Sequence, residues 1–124
     1  MIPRLQIKFP SERQIFFWCN KEYDVLQNEK YLLNHARSGI VMALRAALPK
    51  GGRVGVVAYN CHTVANAVVE SGCTPVFIDL TENLHVDLQH LAAQQLDAIV
   101  VTNLFGIRND IAAIQAVQPN TIII

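Results

Sequence analysis

From about residue 30 onward, short β-branched runs alternate with stretches whose apolar residues recur at helical spacing, which is how a parallel sheet with crossover helices is written. The run Tyr31-Leu32-Leu33-Asn34-His35-Ala36 predicts a first strand leading into Ser38. Ile40, Leu44 and Ala47, with Leu48 alongside, mark one face of a helix that Pro49-Lys50-Gly51-Gly52 breaks. Residues 54–58 read as a buried strand. A helix over residues 63–71 follows, with Val64, Ala67, Val68 and Ser71 on one stripe and Gly72 placed to end it. Residues 74–78 predict the next strand, in which a proline near the start, Pro75, interrupts little of the ladder, and Asp79 falls at the strand end. Asp87 stands where an N-cap is wanted before Leu88, Leu91 and Ala92, and residues 98–102 follow as a strand. Asn109 or Asp110 can cap a short helix through Val117, and residues 121–124 begin a further strand. The expected architecture is a three-layer α/β domain with a mostly parallel sheet. Right-handed crossovers then set the regions of Ser38, Cys61 and Asn103 near one edge.

The first thirty residues lack that alternation. Ser11-Glu12-Arg13-Gln14 fits a capping box, with Ile15, Cys19 and Tyr23 roughly on one helical face, so residues 1–30 read as an N-terminal arm or helix. Residues 31–124 form one domain, with no linker or low-complexity tract inside it. At 52% hydrophobic residues, 124 residues are enough for one buried core. Ten basic and ten acidic residues give zero formal charge, which supplies no long-range attraction to nucleic acid or to an anionic membrane. The run Ile15-Phe16-Phe17-Trp18-Cys19 is too short to span a bilayer and reads as a core or subunit contact. Cys19, Cys61 and Cys73 form no C-x-x-C pair and follow no secretory signal, so free thiols and a cytoplasmic location are expected.

Four clusters invite a chemical reading. A serine and a glycine at a helix start, Ser38-Gly39-Ile40, suit a phosphate: glycine allows close approach, the hydroxyl donates, and the first helical N–H groups lack acceptors. Serine is also a common N-cap, so by itself the motif is a capping device more often than an anion site. Cys61-His62 suggests an activated nucleophile, but adjacent side chains generally point apart. His85, Asp87 and His90 straddle a predicted cap and share no helical face, which favours solvated polar residues over a metal site. Gly51-Gly52-Arg53-Val54-Gly55 precedes a strand, the wrong order for a dinucleotide fingerprint.

Read in series, five motifs resemble the cofactor-binding half of the DegT/DnrJ/StrS family of pyridoxal-phosphate-dependent sugar aminotransferases. They are Ser38-Gly39-Ile40 with Ala43-Leu44, Val64-Ala65-Asn66-Ala67, Ser71-Gly72-Cys73-Thr74-Pro75-Val76-Phe77-Ile78-Asp79, Leu84-His85-Val86-Asp87 and Asn103-Leu104-Phe105-Gly106. Each motif alone is weak; their order and spacing over about residues 33–124 are specific. The resemblance implies a partial large domain of the fold type I pyridoxal-phosphate transferase fold. It also implies pyridoxal phosphate as cofactor, with Ser38, Gly39 and Ile40 at its phosphate and Cys61 and His62 near its ring. The implied reaction moves an amino group, usually from glutamate, to a keto sugar carried on a nucleotide. Family enzymes are typically homodimers, which would give Phe16-Phe17-Trp18 a packing role.

Two positions depart from the family pattern. Ile40 replaces a threonine, removing one hydroxyl donor, and Cys61 stands where an aromatic commonly stacks on the ring, between Tyr59 and His62. The family's Schiff-base lysine matches none of Lys8, Lys21, Lys30 and Lys50, and its ring-pairing aspartate would follow Ile124. The expectation is a portion of an enzyme with no catalytic residue and no metal site of its own, binding pyridoxal phosphate weakly or not at all. Strands at 31–36 and 121–124 would each lose one hydrogen-bonding partner and invite pairing with another copy. Two other readings stay open: a non-catalytic relic or assembly subunit, and a flavodoxin-like module for a phosphorylated ligand.

Overall fold

Parallel strands buried on both faces need near-continuous apolar runs, and the β-branched segments supply them. In the computed structural model, which describes residues 33–124, they become β1 (Arg53–Val57), β2 (Thr74–Ile78), β3 (Ala98–Val100) and β4 (Ile122–Ile123). All four run parallel in the order β2-β1-β3-β4, with Val54 opposite both Pro75 and Ala98, and Ala98 opposite Ile122. Among the described residues the helices are α1 (Ala36–Ala47), α2 (His62–Glu70), α3 (Leu88–Ala92) and α4 (Ile111–Val117), with a 3-10 turn at Leu104–Gly106.

Side chains alternate across the sheet and build two cores. Val54, Val56, Ala98 and Val100 meet Leu44 of α1 and Val68 of α2 on one face. Val57, Ile78 and Ile99 meet Leu91 of α3 and Ile114 of α4 on the other. The three-layer α/β architecture expected from the alternation is therefore present, and no helix among the described residues is long and apolar enough to cross a membrane.

Several local expectations hold at residue level. Asp87 caps α3, its carboxylate accepting the N–H groups of Gln89 and His90, and Asp110 caps α4 by accepting from Ala113. Gly72 ends α2 at φ +86°, with Cys73 N–H returning to the Val68 carbonyl. Gly51, also left-handed at +78°, has no room for a side chain, because a Cβ there would sit 2.5 Å from the Gly72 carbonyl oxygen.

The first predicted strand is not present as drawn. Tyr31 and Leu32, like the predicted arm over residues 1–30, lie outside the described residues; Leu33, Asn34 and His35 are not strand, and Ala36 already belongs to α1. Ala36 and Arg37 are strong helix formers, and His35, extended at φ −143° and ψ 139°, serves as the N-cap residue in place of Ser38. Strand β3 also stops at Val100 instead of residue 102. Val101 still donates to the Ile124 carbonyl, after which Thr102 and Asn103 leave the ladder for the rim.

Candidate functional site

Parallel strands with crossover helices bring the β1–α2 and β3–α4 connections to the carboxyl-end rim of the sheet. There Tyr59, Asn60, Cys61, Leu104 and Phe105 line an open cleft of about 310 Å³. The Asn60 side-chain amide donates to Thr102 Oγ1 at 2.9 Å, joining the two loops. Tyr59 and Phe105 are 63% and 78% exposed, so two aromatic rings stand free at this cleft. Phe105 holds a left-handed backbone at φ 51°, unusual for a bulky residue.

Cys61 is the N-cap residue of α2. Its N–H donates to Asn60 Oδ1 at 2.8 Å, and its sulfur lies 3.1 Å from Thr63 Oγ1. The Thr63 hydroxyl does most to lower the thiol's pKa and the Thr63 N–H adds to this, burial opposes them, and the Arg37 charge contributes least. The sulfur makes no full capping hydrogen bond, so the Thr63 N–H acts on it as a nearby dipole. His62, the first residue of α2, is exposed.

α1 ends just before β1 begins and packs along α2, so its start lies at this same rim. Ser38 is the third residue of α1; its N–H already donates to the His35 carbonyl at 3.0 Å, leaving its hydroxyl as the available donor. The N–H groups of Gly39 and Ile40 fall within the helical ladder, whereas those of Ala36 and Arg37 have no intrahelical acceptor. Gly39 also admits Leu33, whose Cδ1 would lie 3.2 Å from a Cβ there, and Ile40 packs partly buried on the core. Ser38, Gly39 and Ile40 do not line the Cys61 cleft. Arg37, Asn60 and Thr102 belong to the rim without having been singled out from sequence. Only Arg37 carried a signal, a basic residue directly before the Ser-Gly pair.

The two helix layers treat their N-termini oppositely. α1 and α2 have neither an acidic residue in the first turn nor a side-chain cap bond, while α3 and α4 are each closed by an aspartate carboxylate. A larger groove of about 690 Å³ lies between the starts of α3 and α4, lined by Thr81, His85, Asp87, Arg108 and Asp110 among others. Because both carboxylates there already satisfy helix N–H groups, an anion is better served at the α1 and α2 rim. His90 does not turn toward Asp87 to share a metal. Its Nδ1 lies 3.0 Å from both the Asp79 N–H and Asp79 Oδ2, accepting from the first when neutral and donating to the second when protonated. Among the described residues the one lysine, Lys50, sits in the turn after α1, at the other end of β1 from the rim.

A search among curated proteins finds no match to this chain. The model of the DegT/DnrJ/EryC1/StrS aminotransferase family matches residues 31–123, most of the chain. Ordered motifs, an all-parallel sheet flanked by helices and that match together show that the chain belongs to the DegT/DnrJ/EryC1/StrS aminotransferase family, of which it forms a partial fold type I transferase domain.

Proposed function

We propose that this chain is the N-terminal portion of a pyridoxal-phosphate-dependent aminotransferase that acts on a nucleotide-linked keto sugar, with glutamate as amino donor, in a homodimer and in the cytoplasm. One observation carries the cofactor part of the reading: α1 and α2, which cover one face of the sheet, start without acidic caps, whereas α3 and α4 on the other face start at aspartate caps. The Ser38 hydroxyl, the N–H groups of Ala36 and Arg37, which have no acceptor within α1, and the Arg37 guanidinium fit a phosphate. Gly39 and Ile40 complete that turn through backbone alone. Cys61 and His62 stand where the ring would lie, and the exposed rings of Tyr59 and Phe105 offer the aromatic surface that Cys61 itself lacks. Pyridoxal phosphate supplies an electron sink when bound. The residues here supply binding and orientation, since the rim holds no described lysine.

The test is binding of pyridoxal phosphate against pyridoxal by the 124-residue chain. The reading expects weak binding that requires the phosphate and is lost in Ser38→Ala. Equal affinity for pyridoxal, or an unaffected Ser38→Ala variant, would refute the phosphate assignment. Borohydride treatment with peptide mapping checks the other half: a stoichiometric adduct on one specific lysine would show that the chain carries the catalytic lysine after all.

A further inference from the structure

Asn109 belongs to none of the motifs above, yet it is the most connected buried polar side chain near the rim. It is 9% exposed. Its Oδ1 accepts the Val86 N–H at 2.8 Å, while Nδ2 donates to the Thr102 carbonyl at 3.2 Å and, more weakly, to Asn103 Oδ1 at 3.5 Å. Its own N–H donates to Asn103 Oδ1 at 3.0 Å. The amide orientation is fixed by its partners, because a flip would set NH₂ against an N–H and oxygen against a carbonyl.

Thr102 continues the path. Its Oγ1 accepts from the Asn60 amide at 2.9 Å, and Asn60 Oδ1 accepts the Cys61 N–H at 2.8 Å. An unbroken series of hydrogen bonds thus runs from the β2–α3 connection at Val86, through Asn109, Thr102 and Asn60, to the first residue of the α2 cap. The stretch it crosses also holds Phe105 in its left-handed conformation, a strained state that persists only where neighbours over-determine it. The bonds of Asn109 to Thr102 and Asn103 provide that constraint.

We propose that Asn109 is the positioning residue of the rim: it fixes residues 102–106, through them the Asn60 amide, and through Asn60 the backbone at Cys61. It lines no part of the cleft itself. Its importance for cofactor binding rests on the function proposed above; the positioning role does not, and its test contains no cofactor.

The reporter is the alkylation rate of Cys61 by iodoacetamide, separated from Cys19 and Cys73 by peptide mass spectrometry. Cys61 feels Thr63 and Arg37 and adjoins His62 in the chain, while the rim loop adds only the uncharged Leu104 and Phe105. Buried Cys73 gauges the fold. Asn109→Ala should slow Cys61 by about threefold at neutral pH, as the loosened cap loses its fixed Thr63 contact and thiolate becomes scarcer. Thr102→Val, which removes the Oγ1 link with little change of volume or charge, should give the same slowing, and Thr102→Ser should restore the rate. The double variant should be no slower than either single one, because both cut one path. An unchanged Cys61 rate in either Asn109→Ala or Thr102→Val overturns the proposal. So does slowing seen only when Cys73 also becomes reactive, since Asn109 would then be holding the fold and not the rim.

Discussion

Replacing Gly55 with alanine puts a methyl group where the layer of α3 and α4 has no space. A Cβ at this position would lie 2.8 Å from Leu96 Cδ1 and 3.1 Å from Ile99 Cγ1. β1 is paired on both sides, to β2 and to β3, so its backbone cannot slide away. Ile99 is fully buried and held by its neighbours, and Leu96, only partly buried, is the side chain that must rotate. Overpacking of this kind costs about 2 kcal/mol, offset by about 0.5–1 kcal/mol because alanine loses less backbone entropy than glycine, leaving a net loss of about 1–1.5 kcal/mol. With a urea slope of about 1–2 kcal/mol/M for a domain of this size, the midpoint should fall by roughly 1 M at unchanged slope. Combining Gly55→Ala with Leu96→Ala identifies the cause. Crowding against Leu96 predicts a coupling of at least about 0.5 kcal/mol, the glycine substitution costing less once Cδ1 is gone. An unshifted midpoint, or strictly additive losses, would refute the packing argument.

Three further outcomes follow from particular contacts. Asp87→Ala should destabilise by about 1–2 kcal/mol and Asp110→Ala by about 1 kcal/mol in urea melts, because the first carboxylate accepts two helix N–H groups and the second one. Gln118 donates from Nε2 to the carbonyls of Leu91 and Gln94, tying the end of α4 to that of α3, so Gln118→Ala should cost about 1–3 kcal/mol in the same assay. The Cys61 thiol is held below the ordinary thiol range, first by the Thr63 hydroxyl, so its alkylation midpoint should lie below that of a free thiol and rise in Thr63→Val. The same sign applies to folding. The thiolate's contribution is complete above the ordinary thiol range and disappears as pH falls through the lowered value, so Thr63→Val should narrow that window.

Regular elements were legible wherever burial imposes a period. Val54, Val56 and Val57 announce a strand covered on both faces, and Val64, Ala67, Val68 and Ser71 announce the inner stripe of α2, because these patterns have few other ways to hide apolar surface. The cap of α1 was misplaced by three residues, from His35 to Ser38. Ser38 has the chemistry of a cap, but an extended His35 followed by Ala36 and Arg37 lets the helix begin earlier, and burial of Val41 and Leu44 outweighs the cost of Gly39 inside it. At the rim, sequence pointed to Cys61 and His62 but not to Asn60, Thr102 or Asn109. Those three meet across separations of up to 42 residues, and a lone asparagine or threonine in a loop carries no periodic or spacing signal of a distant partner.

The position of Pro75 gives the sheet a direction of growth. Thr74 N–H donates to the carbonyl of Gly52, the residue just before β1, so the next backbone nitrogen, that of Pro75, faces away from β1. Among the described residues β2 and β4 are the outer strands, and at β2 the proline removes a donor that an incoming strand would need. A strand recruited there forfeits a rung and must accommodate the pyrrolidine ring; one recruited along Ile122 and Ile123 meets no such obstacle. The sheet therefore behaves as a one-ended template, terminated at β2 and extendable at β4, whether the strand that extends it is offered by the same polypeptide or by another copy.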